Sequence, residues 1–191
     1  MYYSKRATRI KMVIFDVDGV LTDGTIVVGT TGEFMKNFNC QDGLGISLLH
    51  KAGIKTAIIT GRTSEIVKIR SQELNITEVY QGVANKLSAF HMLKEKYHLE
   101  DDTIAYVGDD LIDLPVMLQV GLACAVDNAA YEVKEVAHYV ARKEGGKGAV
   151  REIVEMILKS QGKWDSLIET YFTRQPLPVS YTHLRAHETL S

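Results

Sequence analysis

An apolar run, Met12-Val13-Ile14-Phe15, ends on two acids, Asp16 and Asp18, and continues as Gly19-Val20-Leu21-Thr22. The run reads as a strand buried on both faces. Carboxylates at the end of such a strand repel each other and lose hydration. They therefore need a cation, a partner or a chemical role. Side-chain alternation breaks down in a turn, so both acids can reach one site above the strand's C-terminal edge. In open α/β sheets that edge is where ligands bind. An Asx-rich turn after a strand is the plain alternative, because so short a pattern recurs by chance.

The rest of the chain repeats this rhythm. Short segments rich in Val, Ile and Ala at 11–15, 55–59, 77–80, 103–107 and 122–126 read as parallel strands. Helical patterns lie between and after them. Asn85 reads as the cap of a helix whose apolar positions Leu87, Phe90, Leu93 and Tyr97 step by three or four. Val150, Ile153, Val154, Ile157 and Leu158 form one face of a later helix. This alternation predicts an α/β fold, a doubly wound parallel sheet with right-handed crossovers. One segment departs from it. Residues 25–38, with Gly29-Thr30-Thr31-Gly32 at their centre, read as a β-hairpin inserted after the first strand.

Composition narrows the partners. A net charge of −2 gives no reason to expect nucleic acid or a membrane surface. No apolar stretch approaches the ~20 residues of a membrane span. The polar, basic residues before Met12 lack the apolar centre of a secretory signal. Cys40 and Cys124 sit in no CxxC or Cys/His cluster, so both read as reduced thiols of a cytoplasmic protein. Residues 173–191 carry Pro176 and Pro178 and show no period, which predicts disorder. Within them, the stretch from Tyr181 to Thr189 resembles translated vector sequence. The expected single domain is therefore 1–172, and the His183/His187 pair is set aside.

Three further signals fall at predicted strand ends. Ile58-Ile59-Thr60-Gly61-Arg62 offers a hydroxyl and free backbone N–H groups, which can bind a phosphoryl group or simply cap a helix. Lys86 occupies the first turn of a helix, where the dipole disfavours a cation. It is either functional or solvated. Val107-Gly108-Asp109-Asp110-Leu111-Ile112-Asp113 places three acids after a strand and a glycine, for function or for dipole reasons.

Taken together, the order Asp-x-Asp, Thr, Lys, Asp-Asp resembles the haloacid dehalogenase (HAD) superfamily of phosphotransferases over about residues 9–160. Asp42-Gly43-Leu44-Gly45-Ile46, Tyr80-Gln81-Gly82 and Gly145-Gly146-Lys147-Gly148-Ala149-Val150-Arg151-Glu152 extend the likeness. It is strongest to the capless, tetrameric branch that dephosphorylates eight-carbon sugar acid 8-phosphates for lipopolysaccharide precursor synthesis in bacteria. The intervals between Asp18, Thr60 and Lys86 are too short for a cap domain.

The resemblance implies Asp16 as nucleophile, forming an aspartyl-phosphate, and Asp18 as general acid and then base. Asp16, the backbone carbonyl of Asp18, and Asp109 would hold Mg²⁺. An all-oxygen set without His or Cys independently favours a hard cation. Thr60 and Lys86 would hold the phosphoryl oxygens. Asp113 would orient Lys86 or a metal-bound water, and Asp110 would be a cap or lie near the metal. Asn39, Asp42, Gly43, Gly61, Arg62, Arg70, Lys86 and Lys147 match substrate positions for a small phosphorylated sugar acid. The hairpin would pack against neighbouring subunits of a homotetramer. Two departures bear on the substrate: Gln41 and Ser47 stand where the family often has arginine. A nine-carbon sugar acid 9-phosphate is the alternative substrate, which Arg62 disfavours. A phospho-acceptor switch without hydrolysis uses similar residues but has no need of Asp18 as acid and base.

Overall fold

The computed structural model describes residues 2–172. The expectations about the tail and the His183/His187 pair lie outside them. The elements are α1 (Tyr2–Ala7), β1 (Met12–Phe15), β2 (Val27–Gly29), β3 (Gly32–Met35), α2 (Cys40–Lys51), β4 (Lys55–Ile59), α3 (Glu65–Glu73), β5 (Glu78–Tyr80) and α4 (Lys86–Tyr97). They continue with β6 (Ile104–Gly108), α5 (Leu114–Met117), β7 (Leu122–Ala125), α6 (Tyr131–Val136), β8 (Tyr139–Val140), α7 (Ala149–Ser160) and α8 (Trp164–Phe172).

Six strands form one sheet in the order β5-β4-β1-β6-β7-β8, and every pairing is parallel. The chain winds outward from β1 to β5, then crosses over and winds the other way from β6. The reversal falls between β1 and β6, where the crevice of a doubly wound sheet opens. β1, β6 and β7 are buried along their whole length, as strands covered on both faces must be. Helices α1, α2 and α7 pack together on one side, and α4, α5 and α6 on the other. The apolar face predicted at Val150, Ile153, Val154, Ile157 and Leu158 is wholly buried. Asn85 caps α4 as expected, its side chain accepting from the Leu87 N–H.

β2 and β3 form a separate antiparallel hairpin between β1 and α2. Among the described residues, that hairpin and α2 are all that lies between β1 and β4, and no cap domain is present. α1, α6, β8 and α8 were not singled out from the sequence; α1 and α6, six residues each, and β8, two residues, are too short to show a period. Both cysteines are free, and among the described residues no helix is long and apolar enough to cross a membrane.

Candidate active site

Each strand-end motif delivers its side chain to the C-terminal edge of the sheet. Asp16 follows β1, Thr60 follows β4, Lys86 opens α4, and Asp109 follows β6. Asp16, Asp18, Thr60, Gly61, Arg62, Asp109 and Asp110 line one cleft of about 220 Å³.

Lys86 explains its own awkward place in a helix's first turn. Its ammonium is buried, 2.8 Å from Asp16 Oδ2 and 2.7 Å from Asp113 Oδ1. Burial alone would lower the Lys86 pKa, but the two carboxylates outweigh it and hold it above the ordinary value. Asp113 is fully buried and accepts four hydrogen bonds. They come from Lys86 Nζ, the Tyr106 hydroxyl at 2.7 Å, the Asp109 N–H at 2.9 Å and the Asp110 N–H at 3.2 Å. Four donors occupy its oxygens, so it holds Lys86 and the turn in place. Asp110 caps that turn through the Leu111 N–H, reciprocally with Asp113. Asp110 thus acts as a cap while also lining the cleft. The helix cap offered as the plain alternative for Thr60 is supplied by Ser64, whose side chain accepts from the Val67 N–H.

The donor set suits a hard cation. One oxygen each from Asp16, Asp109 and Asp113 fall within 4.8 Å of one another. Asp109 Oδ1 is buried without a hydrogen-bond partner. Burial, reinforced by Asp16, Asp113 and Asp110, pushes Asp109 up to about 7. Burial and Asp113 push Asp16 up to about 6 against the pull of Lys86. These are carboxylates arranged to be relieved by a positive charge. Gly19, at φ +87°, makes room for them, since a Cβ there would fall 1.9 Å from Asp109 Oδ2.

The chain is 49% identical to the 3-deoxy-D-manno-octulosonate 8-phosphate phosphatase of Escherichia coli K12 over 160 residues, which is 84% of this chain and 85% of that protein. A haloacid dehalogenase-like hydrolase family model matches residues 59–153. The chain belongs to the haloacid dehalogenase-like hydrolases. The crystal structure of the Yersinia pestis 3-deoxy-D-manno-octulosonate 8-phosphate phosphatase superposes with a TM-score of 0.84 at 47% identity, covering 85% of this chain and 88% of that one. The Moraxella catarrhalis enzyme of the same name, solved with magnesium ion, phosphate ion and a KDO molecule, gives 0.87 at 42% identity, covering 89% and 98%.

Around this hydrolase's core cluster lies a second one. Lys36, just past β3, has a side chain only 1% exposed and pairs with Asp18 Oδ1 and with Glu33 Oε1, the latter at 2.9 Å. Arg62 approaches Asp18 Oδ2 and Glu33 Oε1, each at 3.6 Å. Glu33 Oε2 accepts from the hydroxyl of Ser64, the cap of α3. Sequence reasoning overlooked Lys36, Glu33, Ser64 and Tyr106 as site residues. A tyrosine inside an otherwise aliphatic buried strand was the available signal for Tyr106, because its hydroxyl must find a partner.

Six of the eight expected substrate residues do not line the cleft, among them the buried Lys86. Asn39 is the N-cap of α2, accepting from the N–H groups of Gln41 and Asp42. Asp42 is buried, and its Oδ1 accepts from the Arg151 N–H at 2.8 Å, in the first turn of α7. Gly43 gives space to Arg70, whose guanidinium would lie 2.7 Å from a Cβ there. Arg70 itself stacks over Phe38 and pairs with Glu73. Lys147 is exposed and pairs with Glu144. Asn39, Asp42, Gly43 and Arg70 make contacts within the scaffold, and of the eight Gly61 and Arg62 line the cleft.

Proposed function

We propose that this chain is a Mg²⁺-dependent phosphatase that hydrolyses 3-deoxy-D-manno-octulosonate 8-phosphate to the free sugar acid and phosphate. The observation that carries it is the Asp16–Lys86–Asp113 chain beside Asp109, at the crevice between β1 and β6. The substrate assignment is supported by near-half identity to enzymes of that name. One catalytic unit over 1–172, a cytoplasmic location in a bacterium, a homotetramer and a place in lipopolysaccharide precursor synthesis belong to the same reading.

Asp16 is the nucleophile. Its Oδ1 accepts from the Val17 N–H at 2.7 Å and its Oδ2 from Lys86, which fixes the carboxylate's orientation. Attack on phosphorus forms an aspartyl-phosphate and breaks the ester bond, dividing one difficult displacement into two. Asp18 gives its proton to the departing sugar alkoxide, then takes one from the water that cleaves the intermediate. Lys86 and Thr60 stabilise phosphoryl oxygens as charge develops. Asp16, Asp109 and the Asp18 backbone carbonyl would hold Mg²⁺, which when bound would screen the acids and ease the approach of an anionic nucleophile to an anionic phosphoryl group.

Purified protein should release phosphate from this sugar acid phosphate only with Mg²⁺. Asp16→Asn should reduce turnover by at least about 10⁴-fold. A long-lived phosphoprotein without turnover would replace hydrolysis by a phospho-acceptor role. Equal rates across unrelated phosphoesters would remove the substrate assignment and leave the chemistry.

A further inference from the structure

The hairpin brings a buried lysine to the acid that the proposed reaction needs in two protonation states. Lys36 is the link that joins Asp18 to a continuous polar chain. Asp18 Oδ1 meets Lys36 Nζ, Lys36 meets Glu33 Oε1, and Glu33 Oε2 meets the Ser64 hydroxyl at the head of α3. The Lys36 ammonium is therefore held from two sides, with a side chain 1% exposed. Lysine's flexible stem ordinarily leaves its head mobile in water, and clamping it costs side-chain entropy. Such a clamp on an insertion outside the main sheet has no part in the apolar core.

The consequence lies in the two oxygens of Asp18. Oδ1 is taken by Lys36. Oδ2 faces Arg62, a residue of the cleft wall, at 3.6 Å, a separation too long for a hydrogen bond. A carboxylate with one oxygen pinned cannot spin freely, so its other oxygen keeps a fixed direction. We infer that Lys36, itself held by Glu33, is a positioning residue that locks Asp18 Oδ1 and thereby makes Oδ2 the oxygen that exchanges protons with the leaving group and with the attacking water. The hairpin thus does more than shade the site: it orients the acid from outside the sheet. This inference rests on the hydrolytic reading of Asp18 given above.

Leaving groups provide the test. A sugar alkoxide needs a proton as it departs, whereas 4-nitrophenolate leaves well without one. The quantity to compare is kcat/KM, which reads the chemistry up to departure of the alcohol. Lys36→Met should lower kcat/KM for 3-deoxy-D-manno-octulosonate 8-phosphate by roughly 10- to 100-fold, the scale of a misplaced catalytic group. For 4-nitrophenyl phosphate the loss should stay under about 3-fold, since little general-acid help is needed. Glu33→Gln, which keeps the ammonium but loosens its clamp, should show the same skew at smaller amplitude. It also serves if Lys36→Met folds poorly. Equal losses on both esters, or no loss on either, would overturn the positioning role while the active wild type leaves the phosphatase reading standing. A wild type inactive on both esters would overturn that reading, and the role of Lys36 with it.

Discussion

Two lysines in this molecule are each buried between two carboxylates, and their supports differ. Lys86 stands between Asp16 and Asp113 at the end of the central strands, behind which Tyr106 and the whole β1/β6/β7 layer are closed to water. Lys36 stands between Asp18 and Glu33 on a two-stranded hairpin whose neighbouring side chains Val28 and Phe34 are each 70% exposed. The chemistry of the two clusters is nearly the same, and the surroundings make one a fixture and the other an adjustable brace. An isolated two-stranded hairpin is marginal by itself, so its position depends on the ion pairs that the clamp supplies. The sheet cluster needs no such help.

This contrast can be broken by substitution. The largest effect belongs to Lys86→Met. It leaves Asp16 and Asp113 facing each other in the interior and should cost about 3 kcal/mol of stability, read by denaturant unfolding. Its turnover should fall by about 10²- to 10³-fold as phosphoryl stabilisation is lost. If Lys36→Met proved equally destabilising, the distinction between fixture and brace would fail. Next comes metal binding. Mg²⁺ at 100 times its dissociation constant should stabilise the wild type by about 2.7 kcal/mol in thermal melts. Asp109→Asn should erase that gain and Lys36→Met should keep it, because Lys36 holds the Asp18 side chain and not the backbone carbonyl proposed as a ligand. Tyr106→Phe removes one of four donors to Asp113 and should cost about 1 kcal/mol, with turnover falling only a few-fold. Ser64→Ala deletes both the cap of α3 and the hairpin's anchor. It should cost about 1 kcal/mol of stability, and a larger loss of protection from hydrogen exchange in β2 and β3 than in β1 would sharpen the contrast.

The same division governs what could be read from residues alone. The strand-end motifs were legible because a parallel sheet obliges them to be. Apolar runs must be buried, and the acid, hydroxyl or lysine that ends each run then falls on one edge. Lys86 was legible through a violated preference, a cation at a helix N-terminus. Lys36 was hidden for a geometric reason. In a regular strand Glu33 and Lys36, three apart, would point to opposite faces. β3 ends at Met35, and the hairpin's register shifts between Val27 and Val28, so Lys36 turns back to share Asp18 with Arg62. The scaffold contacts of Asn39 and Asp42 were not legible, because a polar residue that caps a helix or pairs with a distant backbone N–H carries no mark of it in sequence. Asp42 finds its partner at Arg151, in a helix that the chain reaches only much later.

The strand order also has a consequence for how the protein is made. β1, the most apolar piece and the carrier of the nucleophile, is flanked by β4 on one side and by β6 on the other. A ribosome that has released β1 must go on to complete Lys55–Ile59 before one edge is covered, and Ile104–Gly108 before the second is. Until then an aggregation-prone edge lies open, as in other slow, long-range parallel pairings. The arrangement that places Asp16 at the middle of the sheet therefore leaves the enzyme's first strand half-covered until β6 is made, and a truncated nascent chain ending before β6 should depend on chaperones where the finished one does not.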